Sequence, residues 1–339
     1  MKFGSVPTGL AQGMILAHSL VIGGRKVPKG RALEADDIAA IAAAGITHVT
    51  VAALEPGDVP EDDAAARLAA ALVAGGGAGL RLSPAHTGRV NLHAETAGLL
   101  EIDAERIHGL NRVDPALTLA VLPPYARVTP GLLAGTVKVI SYSVAETALS
   151  RACALATDAM RVRPVVLRSA GLVLSTVGGV ADKLTIKAEK AVTARLRALG
   201  MQLVDVRVAA HDSAAMAAEL TTLRGDMALI LTGAATSDIN DTAPQAVRMA
   251  GGLVARFGMP VDPGNLLFYG TLGRRPVIGL PGCARSPALN GADWVLERLA
   301  CGIPLSDDDI AQMGVGGLLQ EIRTRPEPRE RPSPGSALD

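Results

Sequence analysis

Ala228-Leu229-Ile230-Leu231-Thr232-Gly233-Ala234-Ala235-Thr236-Ser237-Asp238-Ile239-Asn240-Asp241-Thr242-Ala243-Pro244 is the stretch that decides the fold. The apolar run 228–231 reads as a buried strand, the small residues after it as a turn, and Pro244 as an early position of a helix. A second stretch has the same plan: Val277-Ile278-Gly279-Leu280-Pro281-Gly282-Cys283-Ala284-Arg285-Ser286. A strand that passes through small residues into a helix start aims backbone N–H groups at an anion, usually a phosphate. An acidic residue beside such a site suggests a divalent metal, because a bare carboxylate repels phosphate.

Around these loops strands and helices alternate. Val165-Val166-Leu167, Leu172-Val173-Leu174, Gln202–Val208, Met227–Leu231 and Val277–Leu280 read as strands. Thr185–Leu199, Ser213–Leu223, Pro244–Ala250 and Ala288–Ala300 read as helices, with Gly200, Gly251 and Gly302 beyond three of them. This predicts an α/β domain over residues 145–305, with a mostly parallel sheet covered by helices. Ligands in open sheets of that class bind where strands end at their carboxyl side, and both loops fall there.

Two smaller α+β stretches precede it. In 1–59, Glu34–Ala44 reads as a helix closed by Gly45, and Ile46–Ala53 as a strand. In 60–144, Glu61-Asp62-Asp63 begins a helix that Ala64–Val73 continues, while Thr118–Leu122 and Thr136–Ser143 read as strands. Residues 323–339 are rich in Pro, Arg, Glu and Ser and read as a disordered tail.

The chain has 339 residues, half of them apolar and very few aromatic, so its cores are aliphatic. Formal net charge is zero, which argues against a broad basic face for nucleic acid. Three cysteines without a CxxC pair argue against a disulfide framework or a structural zinc site. No apolar run suits a signal core or a membrane span, so a cytoplasmic protein is expected.

The 165–302 region resembles the MoaB/Mog domain, the molybdopterin-binding fold of molybdenum-cofactor biosynthesis. Leu231-Thr232-Gly233-Ala234-Ala235-Thr236 is similar to that family's Thr-Thr-Gly-Gly-Thr-Gly, with Asn240-Asp241 at its Arg-Asp and Pro244 kept. Gly279-Leu280-Pro281-Gly282-Cys283-Ala284-Arg285-Ser286 is similar to its Gly-Leu-Pro-Gly-Asn-Pro-x-Ser. Ser175-Thr176, Pro263-Gly264 and Asp182-Lys183 resemble further positions of its transferase and adenylyltransferase branches. Gly13-Met14-Ile15-Leu16-Ala17-His18-Ser19 is similar to a leader found ahead of some molybdopterin-binding domains. The chain departs from the family at Ala234-Ala235, at Cys283-Ala284, and at Val177-Gly178-Gly179, where a Glu is expected.

The resemblance implies a three-layer domain that binds molybdopterin through Thr232, Gly233, Ala234, Ala235, Thr236, Ser237, Asp238, Pro281, Gly282, Cys283, Arg285 and Ser286. Asp241 and Asp182 are its candidate catalytic and Mg²⁺-binding residues, with ATP or molybdate as co-substrate. It also implies a dimer or trimer, and the reaction would be nucleotidyl transfer or molybdate insertion. A carrier that delivers the cofactor to a separate nucleotidyltransferase is the alternative.

Each residue has a plainer reading. Asp241 could instead cap the following helix, with Thr242 as a rival and Asp238 able to serve either purpose. Ser286 could cap a helix or touch ligand, and Arg285 could pair with phosphate or stay solvated. Cys283 could offer a thiolate to molybdenum or simply fill space. His18, His86 and Arg89 lack metal-ligand spacing and read as structural or surface residues.

Overall fold

The computed structural model describes residues 1–76, 78–178 and 183–319. The chain divides into two compact units, Met1–Pro164 and Val165–Asp339. The sequence places the start of the second domain at 145, but Glu146–Ala156 and Met160–Pro164 belong to the first unit. The strand Met160–Pro164 pairs antiparallel with Gly98–Ile102, and Leu149, Ala152 and Ala156 enter the first unit's main core.

In the first unit, Lys2–Pro7, His48–Ala53 and Ile15–Leu16 form a three-stranded antiparallel sheet. The helix Ala35–Ala43 starts at a capping box between Glu34 and Asp37. Leu16, Leu33, Ile41 and Val51 form a small core there. The larger core gathers Leu68, Leu92, Leu100, Leu110 and Leu149 from the helices Glu61–Leu72, Ala104–Asn111 and Glu146–Ala156 and the strands beside them.

The second unit is built on one six-stranded sheet. Its strands are β1 (Ser169–Thr176), β2 (Gln202–Ala210), β3 (Met227–Leu231), β4 (Leu253–Phe257), β5 (Phe268–Leu272) and β6 (Arg275–Leu280). Their spatial order is β2-β1-β3-β6-β5-β4, and only β5 runs against the others. The helices are α1 (Lys183–Ala198), α2 (Ser213–Thr222), α3 (Thr242–Met249), α4 (Gly291–Ala300) and α5 (Asp307–Gln312).

Alternate residues of each strand feed opposite faces. Leu172, Leu229 and Ile278 pack with Val192 and Leu196 of α1 and Val295 of α4. Val173, Ile230 and Val277 pack with Met216 and Leu220 of α2 and Val247 of α3. A sheet buried on both faces explains why these strands read as continuous apolar runs. The unit is therefore α/β, with helices on both faces.

Two sequence expectations change here. Val165-Val166-Leu167 is not a strand, because the amides of Val166 and Leu167 donate to Ala300 O at the end of α4 (2.9 and 3.1 Å). The helix expected from Ala288 starts at Gly291, because Asn290 caps it by accepting from Ala292 N (2.8 Å). Ser286 therefore does not cap that helix. The expected tail, 323–339, lies outside the described residues.

Gly279 faces the buried Phe268 ring across the β5–β6 pair, and a Cβ at 279 would sit 1.9 Å from Phe268 Cε1. Gly279→Ala should destabilise the second unit by about 1–3 kcal/mol through overpacking. The chain's one tryptophan, Trp294, lies on α4, so its fluorescence in a urea titration reports this unit. An unchanged midpoint would refute the packing argument.

Candidate functional site

The connections leaving β1 and β3 depart to opposite faces. The chain after β1 leads to α1 on one face, and the chain after β3 leads to α3 on the other. β1 and β3 are adjacent, so a crevice opens between their carboxyl ends, where open α/β sheets take ligands. The loop after β6, the next strand over, borders the same edge.

The Thr232–Gly233 peptide lies in this crevice. Its amide, on Gly233, donates to Ser175 Oγ at the end of β1 (3.0 Å). Its carbonyl, on Thr232, accepts from Arg285 Nη2 in the loop after β6. A Cβ at 233 would meet Ser175 O at 2.8 Å and Val177 N at 3.2 Å, so the close approach demands glycine. Ser175 Oγ also bonds His211 Nδ1 (2.9 Å), just past the end of β2. One run of polar contacts thus links the ends of four strands.

The Gly233 amide is occupied by Ser175, and the Thr232 hydroxyl donates to Ala234 O (2.6 Å). Thr236 is buried beside them. Among the described residues, the amides of Ala234, Ala235 and Thr236 meet no acceptor. They are the donors this loop offers an anion.

Asp241 caps α3. Its Oδ1 accepts from Thr242 N (2.6 Å), and its Oδ2 from Ser237 N (2.9 Å) and Ser237 Oγ (3.2 Å). These donors, the Ser237 amide foremost, hold the carboxyl below the usual aspartate range. Asp238 is exposed and accepts from Asn240 N (2.8 Å), so it shapes the turn. Asp182 lies outside the described residues.

The second loop forms a short 3-10 turn over Gly282–Arg285 behind the buried Pro281. Arg285 spends its guanidinium on the carbonyls of Thr232 and Gly282 (3.4 Å to the latter), so it joins the two loops. Cys283 is exposed, and the protein packed around its thiol pushes its pKa up. That is the opposite of what a preformed thiolate needs.

Arg195 on α1 was missed by the sequence reading. Its Nε donates to Asp293 Oδ1 (2.6 Å), while its two terminal nitrogens reach the carbonyls of Ala191 (3.4 Å), Ala284 (2.8 Å), Ser286 (2.8 Å) and Ala288 (3.0 Å). It therefore fixes the second loop against α1 and α4. A signal was present: Arg195 shares the apolar stripe Ala188, Val192, Leu199, and a charge on a buried stripe requires partners. His211 was missed as well, while Ser175 enters the sequence reading only through the family resemblance of Ser175-Thr176. His18, His86 and Arg89 are exposed on the first unit.

Among the described residues, no three His, Cys, Asp or Glu side chains gather to hold a metal. No described helix is long and apolar enough to cross a membrane.

Residues 5–53 match a family described as a domain of unknown function (DUF8806). No curated protein matches the chain. Among solved structures, the chain is similar to the molybdopterin biosynthesis MoeA protein from Pyrococcus horikosii. The match has 12% identity and a TM-score of 0.32, over 89% of this chain and 75% of that one. It is also similar to a molybdenum cofactor biosynthesis protein from Pyrococcus furiosus, at 12% identity and a TM-score of 0.23. That match covers 88% of this chain and spans 61% of the other. Similarity this distant carries no inference about activity.

Two outcomes test the site. Arg195→Met leaves Asp293 and four carbonyls without their donor, and should destabilise the second unit by about 3 kcal/mol, read by Trp294 fluorescence in urea. Asp241→Asn keeps an acceptor for Thr242 N but turns an NH₂ toward the Ser237 N–H and hydroxyl, and should lower stability at neutral pH by about 1 kcal/mol. A depressed carboxylate stabilises above its unfolded pKa and loses that contribution as pH falls through its folded pKa. The gap between Asp241→Asn and the parent should therefore close on acidification; a gap that stays constant would refute the assignment.

Proposed function

We propose that the second unit binds the phosphate of molybdopterin and serves the assembly of molybdenum cofactor. The observation that carries this reading is the coincidence of the two family-like loops with the crevice at the carboxyl ends of β1, β3 and β6. Free amides at Ala234, Ala235 and Thr236 suit a phosphate. Val177, Ile239 and Leu289 are exposed on segments that border this edge and give a flat heterocycle an apolar surface. Arg195 is held by Asp293 and loop carbonyls and Arg285 ties the Thr232 and Gly282 carbonyls, so this reading rests on the backbone amides.

Magnesium fits these residues poorly. Asp241 already accepts three hydrogen bonds, which leaves its carboxylate about one lone pair, and among the described residues no three His, Cys, Asp or Glu side chains gather to hold a metal. No catalytic step is therefore routed through a metal here. This favours the carrier reading, in which the unit holds the cofactor and passes it to a separate nucleotidyltransferase. The adenylyltransferase and molybdate-insertion readings depend on Asp182 joining Asp241. A dimer or trimer in the cytoplasm is the assembly that goes with either.

Calorimetric titration with molybdopterin, repeated with ATP and Mg²⁺ while following pyrophosphate, tests this. The expected outcome is binding without pyrophosphate release, with molybdate as the next ligand to add. Pyrophosphate release would replace the carrier reading with adenylyl transfer. Absence of binding in both arms would overturn the ligand assignment.

A further inference from the structure

We infer that Ser175 and His211 form a proton-linked part of the anion site, so that anion binding in the β1–β3 crevice takes up a proton on His211. The inference rests on the reading of the Ala234–Thr236 amides as an anion site, and adds its regulation. Ser175 is 5% exposed, and its single hydroxyl has one hydrogen and two lone pairs. Gly233 N–H fills one lone pair (3.0 Å), and His211 Nδ1 lies 2.9 Å from the same oxygen.

The Ser175–His211 bond then has two directions. With the imidazole proton on Nε2 alone, Nδ1 is bare and the Ser175 hydroxyl donates to it. With a proton on Nδ1, in the neutral Nδ1–H tautomer or in the imidazolium, the ring donates into the second lone pair and the hydroxyl hydrogen must find another acceptor; of these two forms the imidazolium alone adds a positive charge that an anion favours. A buried donor left without one is unfavourable. An anion seated on the amides that follow Gly233 supplies that acceptor and meets the imidazolium charge. Anion binding and protonation therefore favour each other. The sign follows: affinity is greatest at low pH and falls as pH rises through the titration of His211 in the complex.

The charged groups on the elements packed against β2 near this end do not take over the role. β1 carries none. On the α2 side, Asp212 spends its carboxylate on the amides of Ala214 and Ala215, and Glu219 pairs with Arg207. α1 carries Lys187, Glu189 and Lys190, and the β3–α3 loop carries Asp238 and Asp241, both engaged by amides. Lysines and carboxylates stay charged between about pH 5.5 and 8, the range over which histidine titrates.

Sulfate is the probe, because its charge is constant across that range. The full chain, labelled with ¹⁵N, would be titrated with sulfate near both ends of the range, following the Ala234–Thr236 amides and the His211 ring nitrogens. The expected result is that saturating sulfate raises the His211 midpoint by about one pH unit, and that affinity weakens roughly tenfold from the acid to the alkaline end. His211→Asn keeps a donor toward Ser175 and cannot titrate, so its sulfate affinity should not vary with pH. Sulfate that shifts the loop amides but leaves the His211 midpoint unmoved would overturn the inference. So would a pH dependence that survives in His211→Asn. Sulfate that leaves the loop amides undisturbed at both ends would overturn the anion site itself, a separate and recognisable failure.

Discussion

The site depends on one peptide group. Because a trans peptide points its carbonyl and its amide in opposite directions, the Thr232–Gly233 unit can be held from both sides. Arg285 takes the carbonyl and Ser175 takes the amide. The strand β3 is thereby tied to the segment after β6 on one flank and to β1 on the other, with His211 extending the line past β2. The absence of a side chain at Gly233 permits the approach; a methyl there would strike the β1 backbone. With this peptide fixed, the next amides are presented rather than absorbed.

Arg195 supports the same edge from below. A guanidinium has five N–H donors, and here one meets a carboxylate and the others meet carbonyls. Its charge sits among the loop carbonyls of Ala284, Ser286 and Ala288. Both arginines near the loops tie loop carbonyls together. Both act as internal struts, and the surface they leave is made of backbone.

Much of this could be read from the residues. The run 228–231 and the small residues after it place the first loop correctly at the end of a central strand. Met227–Leu231 is a strand in sequence and in structure because it is buried on both faces and apolar throughout. The pair Leu253–Phe257 and Phe268–Leu272 was not legible, since the strands at this end of the sheet carry mixed residues and are joined by a Pro- and Gly-rich turn. Asp241 was ambiguous because a cap and a metal ligand have the same chemistry; only its three donors decide. Arg195 and His211 escaped because their partners are carbonyls and a hydroxyl distant in sequence, which no local pattern encodes. The domain boundary moved for a similar reason: the partner of Met160–Pro164 lies some sixty residues earlier.

The bonds from Val166 and Leu167 to Ala300 have a consequence for how this unit can be handled as a piece of chain. They bring the place where the polypeptide comes into the sheet next to the end of α4, its last long helix. A domain excised from this chain therefore has to keep Val166 and Leu167, because cutting them away would free the end of α4, and it has to keep α5, because Ile310 and the capping Met313 share the core of the second unit. The two loops would travel with such a piece intact, because every strut that shapes them, Ser175, Arg195, His211 and Arg285, lies between Val166 and Ala300.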